Sequence, residues 1–332
     1  MSAFGAAIGG FRRVARAPAL VAGVWVLTLS ISLPLAVVMR GMLADHLGRS
    51  LAGEAALRGA DYEWMQEFAA QASGVGVAFR PTIIGFGAVL DNLSAFADAA
   101  ARPAVVVAAA VAYILIWLFL AGGIIDRLAR DRPSRAHGFF AACGVFFFRF
   151  LRLAAAQAIV YGFLFGPTHR WLFDRLYPRM IHEVSVERTA FFARVVLYVA
   201  FGTLVAASAL VFDYAKVRAV VEDRRSMLGA IGAALGFIRR NYAAAVSLFA
   251  IDFLLFAATI ALYALVAPGA GRSTATIVLS VAIGQLYVVA RLCVKLAFWA
   301  SEAALFQSRL AHAGYTARPE PVWPESPAAE MI

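Results

Sequence analysis

The sequence predicts an all-α fold: a polytopic helical membrane protein with six transmembrane helices and in-plane amphipathic helices, arranged as three tandem units. Three observations predict it: an apolar composition, six long apolar runs, and arginines gathered on one side of those runs. Hydrophobic residues make up 62% of the 332, charged residues only 15%, and the mean hydropathy is +0.78. Soluble domains average about 45–50% apolar and about 25% charged residues. Too little polar surface is present here to fold in water.

Crossing the hydrocarbon core takes about 20 apolar residues. Runs of that kind occupy 19–38, 103–125, 145–166, 192–212, 243–267 and 275–298. Arg12, Arg13 and Arg16 stand ahead of the first run, which is longer than a signal-peptide core, and Arg40-Gly41-Met42 offers no cleavage site. The run therefore reads as an uncleaved signal anchor.

Charge placement sets the orientation. With the N-terminus inside, the outer side holds eleven of the thirty basic residues, and acids such as Asp61, Glu63, Glu67 and Glu187 offset them. The rest crowd the inner side, from Arg127, Arg130, Arg132 and Arg135 to Lys216, Arg218, Arg224 and Arg225. The positive-inside rule then puts both termini in the cytoplasm, with 40–102 as a periplasmic loop of a bacterial inner-membrane protein. The loop slightly exceeds the length over which that rule works well. Net charge is +10, and Lys216 and Lys295 are the only lysines. A nucleic-acid partner would suit a basic chain, but these charges lie scattered in short loops between apolar runs. Topology explains them better. Cys143 and Cys293 form no CxxC or metal-spaced group and read as buried apolar side chains.

A repeat emerges next. Asp131-Arg132-Pro133-Ser134, Ala141-Ala142-Cys143-Gly144, Arg149 and Arg152 precede the third run. Asp223-Arg224-Arg225-Ser226, Ala233-Ala234-Leu235-Gly236, Arg239 and Arg240 precede the fifth. A shorter version, Ala6-Ala7-Ile8-Gly9-Gly10-Phe11-Arg12-Arg13, precedes the first. Each predicts an interfacial helix whose arginines sit at headgroup level, followed by an outward and an inward span. Arg12, Arg13, Arg149, Arg152, Arg239, Arg240 and Lys295 are accordingly the candidate contacts for anionic lipids.

In the 40–102 segment, 51–71 has helical character, with Glu63 and Glu67 one turn apart beside Trp64. Residues 82–90 are apolar but too short to cross, which predicts a piece lying on the outer leaflet or re-entering it. From Gly314 onward Pro319, Pro321, Pro324 and Pro327 predict a disordered or polyproline-like cytoplasmic tail. Residues 1–313 are then a single transmembrane domain.

The most informative polar residue is Asp252, deep within the fifth run. Measured from a hairpin tip near Gly271, Asp252 and Arg291 fall at similar depth, which predicts an intramembrane ion pair. Its functional reading is a relay; a structural clamp is the plainer one. Arg291, Lys295 and Glu302 share one side of the last helix, with Trp299 one turn past Lys295, as an interfacial anchor or a lipid-headgroup site. Gln157 and Gln285 are placed to hydrogen-bond between helices. His169, His182, Glu183 and Glu187 match no metal-ligand spacing and read as a solvated loop.

No nucleophile, metal or nucleotide motif occurs, so neither an enzyme nor a cofactor is expected. Two function classes remain. One is a non-catalytic scaffold or accessory factor engaging lipids or a membrane-protein partner. The other is a small permease or channel with a path between the three units.

Overall fold

Backbone amides inside a bilayer must find partners within the chain, and this chain satisfies them with helices. The computed structural model describes residues 1–51, 61–80, 85–267 and 273–309. Among them it has no strand and six helices long and apolar enough to cross a membrane. In chain order the helices are α1 (Ala3–Ala15), α2 (Pro18–Leu47), α3 (Tyr62–Gln71), α4 (Phe86–Ala97) and α5 (Ala104–Arg130). They continue as α6 (Ala136–Ile181), α7 (Glu187–Val221), α8 (Met227–Arg240), α9 (Tyr242–Val266) and α10 (Thr274–Arg309). The spanning helices α2, α5, α6, α7, α9 and α10 coincide with the six apolar runs. The proline-rich tail expected from residue 314 lies outside the described residues.

Two of the three expected interfacial helices are separate elements. Ser2 starts α1 by accepting a hydrogen bond from the Gly5 amide at 3.1 Å, and Ser226 starts α8 through the Gly229 amide at 3.2 Å. Each stops at a break. Ala17 leaves helical geometry just before Pro18, and Asn241 separates α8 from α9 at φ −123° and ψ 31°. The helix expected before the third span is different. It forms the first turns of α6, because nothing between Ala136 and Phe163 interrupts the ladder. Past Phe163 the helix widens into π-helical turns at Leu164–Thr168 and Trp171–Leu176, the first of them holding Pro167.

The three return helices α5, α7 and α10 pack on one another, and their buried residues concentrate at the end where Arg309 reaches the Met1 carbonyl, here called the terminal end. This terminal end holds Leu120–Leu128 of α5, Leu210–Val221 of α7 and Leu292–Phe306 of α10. Toward the far end the same helices expose apolar side chains such as Val111, Val199 and Val278, a surface suited to lipid tails.

Around this core the wrapping helices follow a cyclic order. The start of α6 packs on α5, α8 packs on α7, and α1 packs on α10. Small residues allow the approach. A Cβ at Gly10 would lie 2.6 Å from the Ser301 backbone nitrogen, and Cβ atoms at Gly122 and Gly123 would lie 2.6 Å from Phe146 Cβ and 2.5 Å from Cys143 Sγ. α8 and α7 also pack together, and Ala230 and Ala234 of the first and Ala215 and Ala219 of the second are fully buried. Helices in lipid gain little from apolar burial against each other, so close contact at small residues drives their association.

At the far end, α4 lies across the bundle. Phe86 meets Tyr263 of α9 edge-on, and Phe96 meets Phe165 of α6 at 4.9 Å. Arg80 and Arg102 both pair with Asp91, at 3.2 and 2.8 Å. The hydrogen bond from Arg102 holds the Asp91 carboxyl below its ordinary range. Residues 82–84, part of the apolar stretch expected on the outer leaflet, lie outside the described residues. α3 packs back on the end of α2 through His46, Trp64, Phe68 and Phe79.

The glycine contacts make a paired prediction. Gly10→Ala should destabilise the protein by about 1–3 kcal/mol, since a backbone atom cannot yield to the new methyl. Gly9→Ala should be nearly neutral, because its Cβ would meet only Ala304 Cβ at 4.0 Å. Thermal unfolding in nanodiscs compares the two, and equal melting temperatures would refute the close-contact account.

Candidate functional site

Both lysines of this arginine-rich chain come to one place. On α7, Lys216 Nζ lies 2.8 Å from Asp213 Oδ1, and the two side chains are 15% and 19% exposed. Spacing of three residues puts them on one helix face. Trp299 of α10 donates its indole N–H to the same Asp213 oxygen at 3.3 Å, and the Lys216 ammonium sits 5.7 Å from the Trp299 ring centre. Lys295 lies one turn along α10, its ammonium 3.5 Å from the ring centre of Trp117 on α5 and 5.6 Å from that of Tyr113. Trp117 and Trp299 meet edge-to-face at 5.7 Å, so the two ammonium groups flank one pair of indoles.

Beside this pair the core holds two more carboxylates. Glu302 is 1% exposed and both its oxygens lack a hydrogen-bond partner among the described residues. It lies within electrostatic reach of Asp213, Asp252 and Lys216. Asp252 is also 1% exposed; its Oδ2 accepts a 2.6 Å hydrogen bond from Ser301, while Oδ1 lacks a partner among the described residues. α1 packs across α9 and α10 at this point, with Gly10 against the Ser301 backbone, and so covers the Asp252–Ser301 bond.

The expected Asp252–Arg291 pair is therefore corrected. Asp252 takes Ser301 as its partner, and the Arg291 guanidinium lies over the rings of Tyr287 and Phe256, at 5.5 and 6.0 Å. The hairpin register explains the difference. Phe249 meets Phe298 and Tyr263 stacks on Tyr287, so α9 pairs with residues farther along α10 than a tip near Gly271 predicts. Arg291 consequently sits farther from the terminal end than Asp252. Lys216 was legible only as a basic residue of a loop, Asp213 carried no signal, and Glu302, expected with Arg291 and Lys295 at an interfacial anchor, is instead buried in the core. The helices overrun the apolar runs, and this overrun carries them into the core.

The arginines expected at headgroup level divide into two sets. Arg13 points inward, donating to the Leu128 carbonyl and to Gln307 Oε1, both at 3.1 Å. Burial pushes its pKa down and Asp131 opposes this, but a guanidinium stays charged. Arg149 pairs with Asp223 at 2.6 Å and donates to the Arg224 carbonyl. Arg12, Arg152, Arg239 and Arg240 are exposed. Lys295 is half-buried on its aromatic platform.

Of the remaining polar residues, Gln285 accepts from the Trp25 indole at 3.0 Å, tying α10 to α2. His169 is turned to the Ala97 carbonyl at 2.9 Å, and no cluster of three metal-ligating side chains occurs among the described residues. On the far end, Phe163, Pro167, Thr168, Arg170, Trp171, Asp174 and Arg175 line an open groove of about 700 Å³ along the widened part of α6.

No family model matches this chain, and neither does any curated protein or solved structure.

The Asp213–Lys216 pair yields a prediction. Replacing Lys216 with Met leaves a mostly buried carboxylate beside Glu302 and should destabilise the fold by about 3–5 kcal/mol. Adding Asp213→Leu should recover most of that loss. A double-mutant cycle of thermal stability measures it, and strictly additive effects would show that the two residues do not act as a pair.

Proposed function

We propose that this multi-pass membrane protein is a non-catalytic scaffold or accessory factor that engages anionic lipids, and through them a membrane-protein partner. In this reading it resides in a bacterial inner membrane with both termini cytoplasmic. The chain is three tandem units, each a wrapping helix, an outward span and a return span. The cyclic packing of the wrapping helices supports the repeat, and so do two shared turns: Asp131 and Asp223 hold the same place in their motifs, and both adopt φ +49°.

The observation that carries the lipid reading is the division of labour among the arginines. On α1 and α6 one arginine is turned inward onto a return helix or its turn, while a neighbour, Arg12 or Arg152, is left exposed. α8 exposes both Arg239 and Arg240. The inward set fixes the wrapping helices, and the outward set forms a cationic collar at the terminal end. Each cation near an anionic leaflet contributes about 1 kcal/mol.

Extraction into polymer nanodiscs, without detergent, followed by lipid mass spectrometry tests this. The wild type should carry anionic lipid enriched over the bulk membrane. The variant Arg152→Gln, Arg239→Gln, Arg240→Gln should lose that enrichment by at least about tenfold. Undiminished enrichment would end the reading.

A second reading, a small permease, rests on Glu302. A buried carboxylate with neither oxygen hydrogen-bonded among the described residues, at the contact of the return helices, is the group a proton-coupled path would use. Proteoliposomes should then show proton influx that Glu302→Gln abolishes. Influx no faster than in protein-free vesicles removes this second reading.

A further inference from the structure

Arg291 poses a problem that neither the core nor the collar accounts for. It is exposed, and no carboxylate lies within ion-pair distance of it among the described residues. Its guanidinium rests over Phe256, two residues from the midpoint of α9, the shortest of the six spans. The charge therefore sits close to mid-depth of the hydrocarbon, on the outside of the bundle. An ionised side chain there is costly unless it meets a counter-charge or draws polar groups inward.

The surroundings identify the counter-charge. The guanidinium lies near the Tyr287 and Phe256 rings, and among the described residues its N–H groups donate no hydrogen bond. Lys295 lies one turn nearer the terminal end, held on Trp117 and Tyr113, and it too has no carboxylate within ion-pair distance among the described residues. Two cations on successive turns lead from the leaflet surface toward mid-depth, flanked by apolar side chains such as the exposed Phe253. A phospholipid combines an anionic phosphodiester with acyl chains and matches both features. A planar guanidinium binds phosphate oxygens two at a time.

We propose that Arg291 and Lys295 form a phospholipid-phosphate site sunk below headgroup level in the terminal-end leaflet. Aromatic platforms hold the two cations in place, and the bilayer dips locally to bring the phosphate to them. This site stands apart from the collar: it is on α9, α10 and α5, and it uses none of Arg12, Arg152, Arg239 or Arg240.

Native mass spectrometry of the full chain, released from nanodiscs of phosphatidylcholine with a minor fraction of phosphatidylglycerol, tests the proposal. The wild type should retain phosphatidylglycerol through activation that strips the annular lipid. Arg291→Gln should lower that retention about fivefold, the equivalent of one cation's attraction. Arg291→Lys preserves the charge if the glutamine variant fails to fold; it should keep retention above half of wild type, whereas Lys295→Gln should lower it. The collar variant should leave this tightly held lipid unchanged, so failure of the collar reading and failure of this one are told apart. Retention in Arg291→Gln equal to wild type overturns the proposal. So does a stoichiometric protein that leaves with the Arg291 substitution while lipid retention stays constant, since a partner helix carboxylate would then be the counter-charge.

Discussion

Much of this structure depends on how closely α1 can approach α10. Two helices in lipid have little to gain from burying one apolar surface against another, since the tails they displace are equally apolar. What holds them is contact distance. Gly10 lets α1 touch the backbone of Ser301, where any side chain would collide, and this contact joins the first helix of the chain to the last. It closes the cyclic order of the wrapping helices. It also brings the N-terminal helix over Asp252, which accepts a hydrogen bond from that same Ser301.

The other two wrapping contacts solve the same problem with different residues. Gly122 and Gly123 admit Phe146 and Cys143 to α5, and α7 and α8, which pack together, each bury two alanines completely, Ala215 and Ala219 on the one and Ala230 and Ala234 on the other. Arginines then secure the ends of the return helices. Arg16 reaches Asp131 at 3.0 Å and Arg149 reaches Asp223 at 2.6 Å. The first pair is largely solvent-exposed and adds little stability by itself. What both pairs mark is a turn: each aspartate sits in left-handed geometry that costs an L-residue about 1–2 kcal/mol, and a short polar side chain tolerates it best.

The molecule also meets two environments along its length. Toward the far end the return helices present valine and isoleucine outward and pack sparsely. At the terminal end they run beyond their apolar stretches and build a dense core there, with Tyr214, Val217, Leu296 and Leu305 fully enclosed. Asp213, Lys216 and Glu302 lie in this overrun. Asp213 and Lys216 neutralise each other, and the indoles of Trp117 and Trp299 give the ammonium groups a polarizable face. Both oxygens of Glu302 lack a hydrogen-bond partner among the described residues.

The sequence by itself determined that the chain is helical, where its six apolar helices run, and that small residues and arginines recur ahead of alternate spans. These are local properties: hydropathy over twenty residues, a serine cap, a proline or asparagine break. It did not determine the break expected ahead of the third span, because nothing between Ala141 and Leu153 stops a helix. Nor could it determine which charges meet. Asp252 was recognisable as costly from its place in an apolar run. Its partner depended on how α9 and α10 pair, and a register that sets Phe249 beside Phe298 and Tyr263 beside Tyr287 moved Arg291 out of reach and brought Ser301 into it. Lys216 looked like a loop cation and Glu302 like part of an interfacial anchor, yet both are drawn into the core beside Asp213. Burial of a charge is decided by which helices stack beside it, and only the tertiary structure decides that.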